Sequence, residues 1–400
     1  MFFLIAALVL RPSTVLEVGD GKPFARIEDA VKSAQPGDEI DVYPKSGGYT
    51  GTAVSINVSG ITIKGIGRKV RLDGADFEYS GVGSVPRAIF QIDKYSNGVT
   101  IENFELCGAH NKSFNGAGVR INQANRATIR DCDIHGNDMG IMSNGMEGDA
   151  HLAEDQLIDH CSIHHNGNLS DPGFNHNLYL GGTSVTVQFC TIDHALTGHN
   201  LKCRAHFAVV KHCHIFASAN RELDFVEAWD TDRPNSNVIL LGNVIEKDPD
   251  CKGNRVVINF GVEHARRDGK IYLINNTIHT PFQSAVLALN SPTVGARFTN
   301  NVIYNPSQAH PVLVSFRDSA STSDVDAHSN ALSPNYSPEF LSHGAATWLT
   351  TTKRDEQLTN LPVKATYVDG EGNRQPAEIK YRFTRPNTWK PTTAKFIGAG

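Results

Sequence analysis

The chain has 400 residues, 40% of them hydrophobic and 20% charged, which excludes a disordered or membrane-embedded protein. Its 37 basic and 42 acidic residues leave a net charge of −5, which argues against a nucleic-acid binder. Length alone would suggest ~2–3 domains, but 35 glycines and 8% aromatics favour many turns and short strands in one body.

In chain order, the first feature is residues 1–13, read as a leader. Its apolar core, 2–10, has the length of a secretory h-region, although Arg11 and Pro12 follow where small residues are usual. The expectation is a secreted or periplasmic protein. No stretch reaches the ~18 apolar residues that would cross a bilayer. Residues 27–34 form an amphipathic helix ahead of Pro36, Gly37 and Asp38. Residues 61–65 alternate as a strand.

From residue 100 onward one pattern recurs, at 100–106, 128–134, 157–163, 186–192, 209–215, 239–245, 272–278 and 297–303, with a degenerate copy ending at Asn330. The fifth position holds Phe104, then Cys132, Cys161, Cys190 and Cys213, then Asn243, Asn276, Asn301 and Asn330. From Cys132 the steps are 29, 29, 23, 30, 33, 25 and 29 residues. Such a period is too short for a propeller blade, and alternation of apolar residues excludes helical repeats. It fits a single all-β solenoid, a right-handed parallel β-helix of about ten coils. Each coil stacks ~4.8 Å above the last, so equivalent side chains form ladders.

Seven cysteines cannot all pair. The ladder position makes four of them buried, reduced filler; a metal site is the alternative, but no CxxC pair accompanies them. An open solenoid end exposes unpaired backbone, so the helix at 27–34 is expected to cap it. The β-helix is expected over 14–344, with 345–400 an irregular tail packed on it.

A second strand follows each ladder strand: 176–180, 199–204, 222–226 and 257–261. Strand parity puts Leu178, Leu180, Leu201, Cys203, Leu223, Phe225, Ile258 and Phe260 inside. It puts outside one row, Tyr179–Lys202–Asp224–Asn259, and a second, Asn177–Asn200–Glu222–Val257, with Arg204 beyond. His176 and His199 begin their strands, either as a stacked structural pair or facing a groove. Lys202 is then the candidate base, with His199 or His176 as alternatives, Arg204 the carboxylate clamp and Tyr179 the acid. Asn177, Asn200, Glu222, Asp224 and Asn259 would bind substrate. Abstraction of the C5 proton of a uronic acid requires this set of residue types. A purely structural reading pairs Lys202 with Asp224 and Arg204 with Glu222 as cross-strand ion pairs. Glu222, Asp224, Glu227, Asp230 and Asp232 also form a carboxylate cluster, with Asp224 and Glu227 the ligands if Ca²⁺ is bound.

The coil repeats, with the strands at 176–180 and 198–205, resemble bacterial right-handed parallel β-helix repeat proteins. These are similar in architecture to pectate lyases, alginate lyases and mannuronan epimerases. The resemblance runs from about Val15 to the C-terminus. The Asp-Pro-His-Asp pattern of the epimerases is missing, with a partial echo at 171–177. The resemblance implies a monomeric lyase or C5-epimerase acting on an acidic polysaccharide. A glycoside hydrolase using Glu222, Asp224 or Glu227, and a non-catalytic glycan-binding or structural solenoid, stay open as alternatives.

Overall fold

The computed structural model describes residues 11–149, 151–263, 266–308, 310–318, 320, 324–336, 348–351, 364–384, 388–392 and 398–399. The apolar leader core, 2–10, lies outside them. Each repeat forms a coil of short strands, and like strands of successive coils pair in parallel into three sheets. The first has twelve strands, from Val15–Val18 to Val325–His328. The second has ten, from Val54–Ile56 to Val314–Arg317. The third has twelve, from Tyr49–Thr50 to Trp348–Thr350. Registers follow the repeat: Ile129 faces Ile101 and Ile158, and Ile134 faces Leu106 and Ile163. Ile, Val, Leu and Phe from all three sheets fill one continuous core.

The ladder position follows a corner made by one residue with positive φ. The corner residues are Asp131, His160, Phe189, His212, Asn275, Asn300 and Ser329, with Gly242 in the same place. A left-handed residue other than glycine costs ~1–2 kcal/mol, and it persists because the sheets on either side fix the corner. Immediately after it, Cys132, Cys161, Cys190 and Cys213 stack as buried free thiols, as the repeat predicts. Each thiol contacts a carbonyl of the preceding coil, for instance Cys161 Sγ to Ile129 O at 3.6 Å. The asparagines continue the ladder with real hydrogen bonds. Asn243 Nδ2 donates to Asn276 Oδ1 (3.0 Å), Asn276 to Asn301 (3.0 Å) and Asn301 to Asn330 (2.8 Å).

The helix Ile27–Ser33 forms where the sequence places it and buries Ile27, Ala30 and Val31 among the first strands. The C-terminal segment departs from the expectation of an irregular tail. Trp348–Thr350 adds a strand beside Asn330–Leu332. Ala365–Val368 with Arg374–Ala377, and Tyr381–Thr384 with Thr388–Pro391, form two antiparallel hairpins. The first packs Tyr367, Val368 and Ile379 on Ile239, Leu241, Tyr272 and Ile274 of the first sheet. The second packs Phe383 and Trp389 near Val244. The coil period had faded here, but alternating aromatics on hairpin strands have a period of two and need no coil.

Candidate active site

The second sheet carries the outward row in the expected register. Tyr179 lies opposite Lys202, Lys202 opposite Asp224, and Asp224 opposite Asn259. The row continues through Met142 and Arg120 on one side and Ala288 on the other. The eight residues assigned inward, from Leu178 to Phe260, are all buried.

The second row is corrected. Asn177, Asn200 and Glu222 do not face solvent; all three have no exposed surface. They form an interior ladder at the corner before the second sheet. Asn166 Nδ2 donates to Asn177 Oδ1 (2.9 Å), Asn177 to Asn200 (2.8 Å) and Asn200 to Glu222 Oε2 (2.7 Å). Lys247 Nζ, also buried, closes the ladder 3.2 Å from Glu222 Oε1. Burial pushes the Glu222 carboxyl up, against the Lys247 charge and its hydrogen bonds. Parity is the wrong guide at a strand's first residue, because the corner turns that side chain inward. Asn259 and Asp224 are likewise buried, Asn259 under Asn290.

His176 and His199 are the stacked pair, with ring centroids 5.0 Å apart and planes 6° from parallel. The His199 amide donates to His176 Nδ1 at 3.0 Å, which leaves the proton of that neutral ring on Nε2. Gly198 allows this stack: a Cβ there would sit 1.9 Å from Asn175 O and 2.4 Å from His176 Nδ1. Burial pushes His176 well below its usual range, helped by His199. Burial, with the Arg221 and Lys202 charges, lowers His199 to about 3. Both rings lie beneath the surface rather than on it. His176 meets the Tyr179 ring edge-on at 5.4 Å.

The charged residues form one connected cluster. Arg204 Nε donates to Tyr179 Oη (3.1 Å), and its Nη1 donates to the Glu227 carbonyl. Arg204 Nη2 and Lys202 Nζ each donate to one oxygen of Glu263, both at 2.7 Å. Lys202 Nζ also lies 3.6 Å from Asp224 Oδ2, while Arg221 Nη1 is 3.2 Å from Asp224 Oδ1. Burial raises the Asp224 carboxyl against these two cations. Burial would also raise Glu263, but its bond to Lys202 and the Lys202 and Arg204 charges prevail and hold it at about 2. Of the two ion pairs expected, Lys202–Asp224 is present. Arg204 pairs with Glu263, and Glu222 with Lys247.

Tyr179 and Arg204 stand on the wall of a groove of about 700 Å³. Glu147, Glu227, Trp229 and Asp230 also line it. Trp229 is 64% exposed and offers the groove a flat apolar face. Asp230 is buried beside it, and burial lifts its carboxyl to about 6. A second groove, of about 630 Å³ along Gln91, Asp93 and Asn122, shares Arg120 with the first. Behind the site, the fully buried Arg267 donates to the carbonyls of Ala205, Val226 and Ser236, fixing the backbone that carries Arg204 and Glu227.

Glu263, Arg221, Trp229 and Arg267 were not singled out from the sequence. They lie in connections beyond the strands, where no period locates them. The calcium set does not assemble. Asp224 faces the cations Arg221 and Lys202, not Glu227. Among the described residues, three-donor groups close enough for one ion are Glu105–Cys107–His135 and His165–Asp193–His194.

No protein-family model matches the chain, and no curated protein matches it in sequence. Solved structures match it in fold. A pectate lyase is 14% identical with a TM-score of 0.50, covering 98% of this chain and 97% of its own. An alginate lyase from Paenibacillus sp. str. FPU-7 is 14% identical with a TM-score of 0.48, covering 78% of this chain and 99% of its own. With three parallel sheets of stacked coils, the likeness to the pectate lyase shows the architecture: the chain is a right-handed parallel β-helix.

Proposed function

We propose that the chain is a carbohydrate-active enzyme that removes the C5 proton of a uronic acid in an acidic polysaccharide, as a lyase or C5-epimerase. The fold hosts many activities, so the side chains carry the argument. The observation that carries it is the Tyr179–Arg204–Glu263–Lys202 cluster, whose Tyr179 and Arg204 line a sugar-sized groove with an exposed tryptophan. Arg204 and Lys202 supply the positive charge that stabilises a carboxylate as the adjacent carbon loses its proton. Tyr179 Oη is the proton-transfer group that faces the groove. Lys202, the base expected from sequence, is turned toward Glu263 and Asp224 and serves as a charge partner.

In the elimination, Tyr179, reacting as the phenolate, takes the C5 proton, and the C5–H electron pair is delocalised onto the neighbouring carboxylate. That pair then forms the C4=C5 double bond as the C4–O bond breaks, and the leaving oxygen takes the proton from Tyr179. Epimerisation instead keeps the C4–O bond, and C5 takes a solvent proton on the face opposite Tyr179. Such a substrate fits an exported protein.

The test is a screen of anionic polysaccharides read by near-ultraviolet absorbance of the new double bond and by reducing ends. Turnover with absorbance is expected. Tyr179→Phe and Arg204→Ala should each lower turnover at least ~100-fold. Wild-type turnover in both variants would reject the site. A second reading, glycoside hydrolysis, is favoured by Glu227 and Asp230 facing the same groove. It would give reducing ends without absorbance.

A further inference from the structure

We propose that Lys202 and Arg204 form a seat for a sugar carboxylate, and that Glu263 is the chain's own occupant of that seat, which an acidic sugar displaces. The inference rests on the functional reading above and adds a binding site and its competitor. Each oxygen of Glu263 is held by a different cation, Oε1 by Lys202 and Oε2 by Arg204, both at 2.7 Å. A carboxylate bound bidentately between two cations has this arrangement, and a uronate presents the same two oxygens and the same charge.

The contact is not dictated by strand register. Glu263 follows the strand Ile258–Gly261, whereas Lys202 belongs to Leu201–Cys203, with Leu223–Phe225 paired between them. The Glu263 and Lys202 side chains thus meet across a separation of two strand spacings, about 10 Å. It is 32% exposed, so it can leave without opening the core. The Glu263 amide donates to the Glu227 carboxylate, which anchors the backbone while the side chain moves. Once the seat is vacated, Lys202 keeps buried Asp224, and Arg204 keeps Tyr179 and the Glu227 carbonyl. The cations therefore stay in place for the incoming anion. Because the Glu263 carboxyl is held at about 2, it is ionised and competes throughout the neutral range.

An internal competitor lowers apparent affinity by the fraction of molecules in which the seat is open. Calorimetric titration with D-glucuronate and D-glucose tests this on the wild type, Glu263→Gln and Glu263→Ala. Both variants should bind glucuronate at least about tenfold more tightly than the wild type, with glucose binding the same in all three. Adding Arg204→Ala to Glu263→Ala should abolish the gain. Glucuronate binding no tighter than wild type would overturn the proposal and leave Glu263 a residue that orients Lys202 and Arg204. An equal gain for glucose would also overturn it, since the groove would merely have widened. On a polysaccharide that the wild type turns over, KM should fall in both variants. The binding result stands whether or not a lyase substrate is found, so failure of the seat and failure of the lyase reading are separate outcomes.

Discussion

Two strings of polar side chains leave the same strands two residues apart. One, Asn177–Asn200–Glu222, runs inside; the other, Tyr179–Lys202–Asp224, starts on the outer face. The inner string is uniform and saturated, each amide spending its donors and acceptors on the coil above and below. The outer one changes residue type at every coil and draws partners from elsewhere in the chain, above all Glu263. Repetition of one hydrogen-bonding group stabilises stacking. A succession of unlike groups cannot form a ladder, and it places different chemistries side by side, with Tyr179 at the groove.

The inner string should break as structure. Glu222→Ala leaves the ammonium of Lys247 buried without its carboxylate, and loss of one partner of a buried pair costs about 3–5 kcal/mol. Chemical denaturation should show this loss. Arg204→Ala, by contrast, should lower turnover while changing stability by under about 1 kcal/mol, since Arg204 is partly exposed and its ion pair with Glu263 is at the surface. If Glu222→Ala unfolded no more easily than Arg204→Ala, the two strings would not differ as described.

Much of this was legible in the sequence because ladders repeat. The Cys132-to-Asn330 series fixed the coil boundaries, and from them the register of Tyr179, Lys202, Asp224 and Asn259 followed by counting. Parity failed for Asn177, Asn200 and Glu222, yet a signal existed. Asn137 and Asn166 each stand five residues after a ladder cysteine and hydrogen-bond to each other (3.0 Å). In the next two coils that place holds Ala195 and Ser218. Their amides are met by Asn200 and Glu222 from the following strand start. Glu263 had no such signal. It lies past the end of its strand, beyond Gly261, whose φ of 152° and tight approach to Asn290 O exclude a larger residue. A contact across an intervening strand leaves no period to count.

His199 joins the two strings and gives a smaller effect. Its imidazole is lowered to about 3 in the folded chain, against about 6.5 unfolded. Between those values the unfolded chain binds the extra proton, so the folded state loses stability as pH falls from 6.5 toward 3. The contribution is about 1.4 kcal/mol per pH unit within that window. Denaturation of the wild type and His199→Asn between pH 6.5 and 4.5 should show the slope flattened in the variant. Asp41 and Asp230, both raised to about 6 by burial, oppose it, but they are common to both proteins and cancel in the difference. Equal slopes would mean that His199 is protonated in the fold and paired with Asp224, 3.3 Å away.

The smallest effect belongs to the cysteine half of the first ladder, and it distinguishes filler from function. Cys161 sits between Cys132 and Cys190, buried, with its thiol pushed well above its usual range by burial. A thiol in that state is a weak nucleophile and a small apolar group. Cys161→Ala removes one sulfur from a close-packed column, a loss on the order of 1 kcal/mol from transfer and a small residual cavity. Turnover on any substrate found should be unchanged, and thiol reagents should label the native protein at this position only as fast as it unfolds. The asparagines one ladder segment further on would behave otherwise, because Asn276 donates to Asn301 and accepts from Asn243. Removing that amide takes the acceptor from the Asn243 backbone N–H and from its Nδ2, and a donor from the Leu240 carbonyl, costing about 1–3 kcal/mol for each buried group left unpaired. Denaturation of Cys161→Ala beside Asn276→Ala therefore measures how much of a ladder is shape and how much is hydrogen bonding. Equal losses would show that stacking alone, not the amide bonds, holds the asparagine segment.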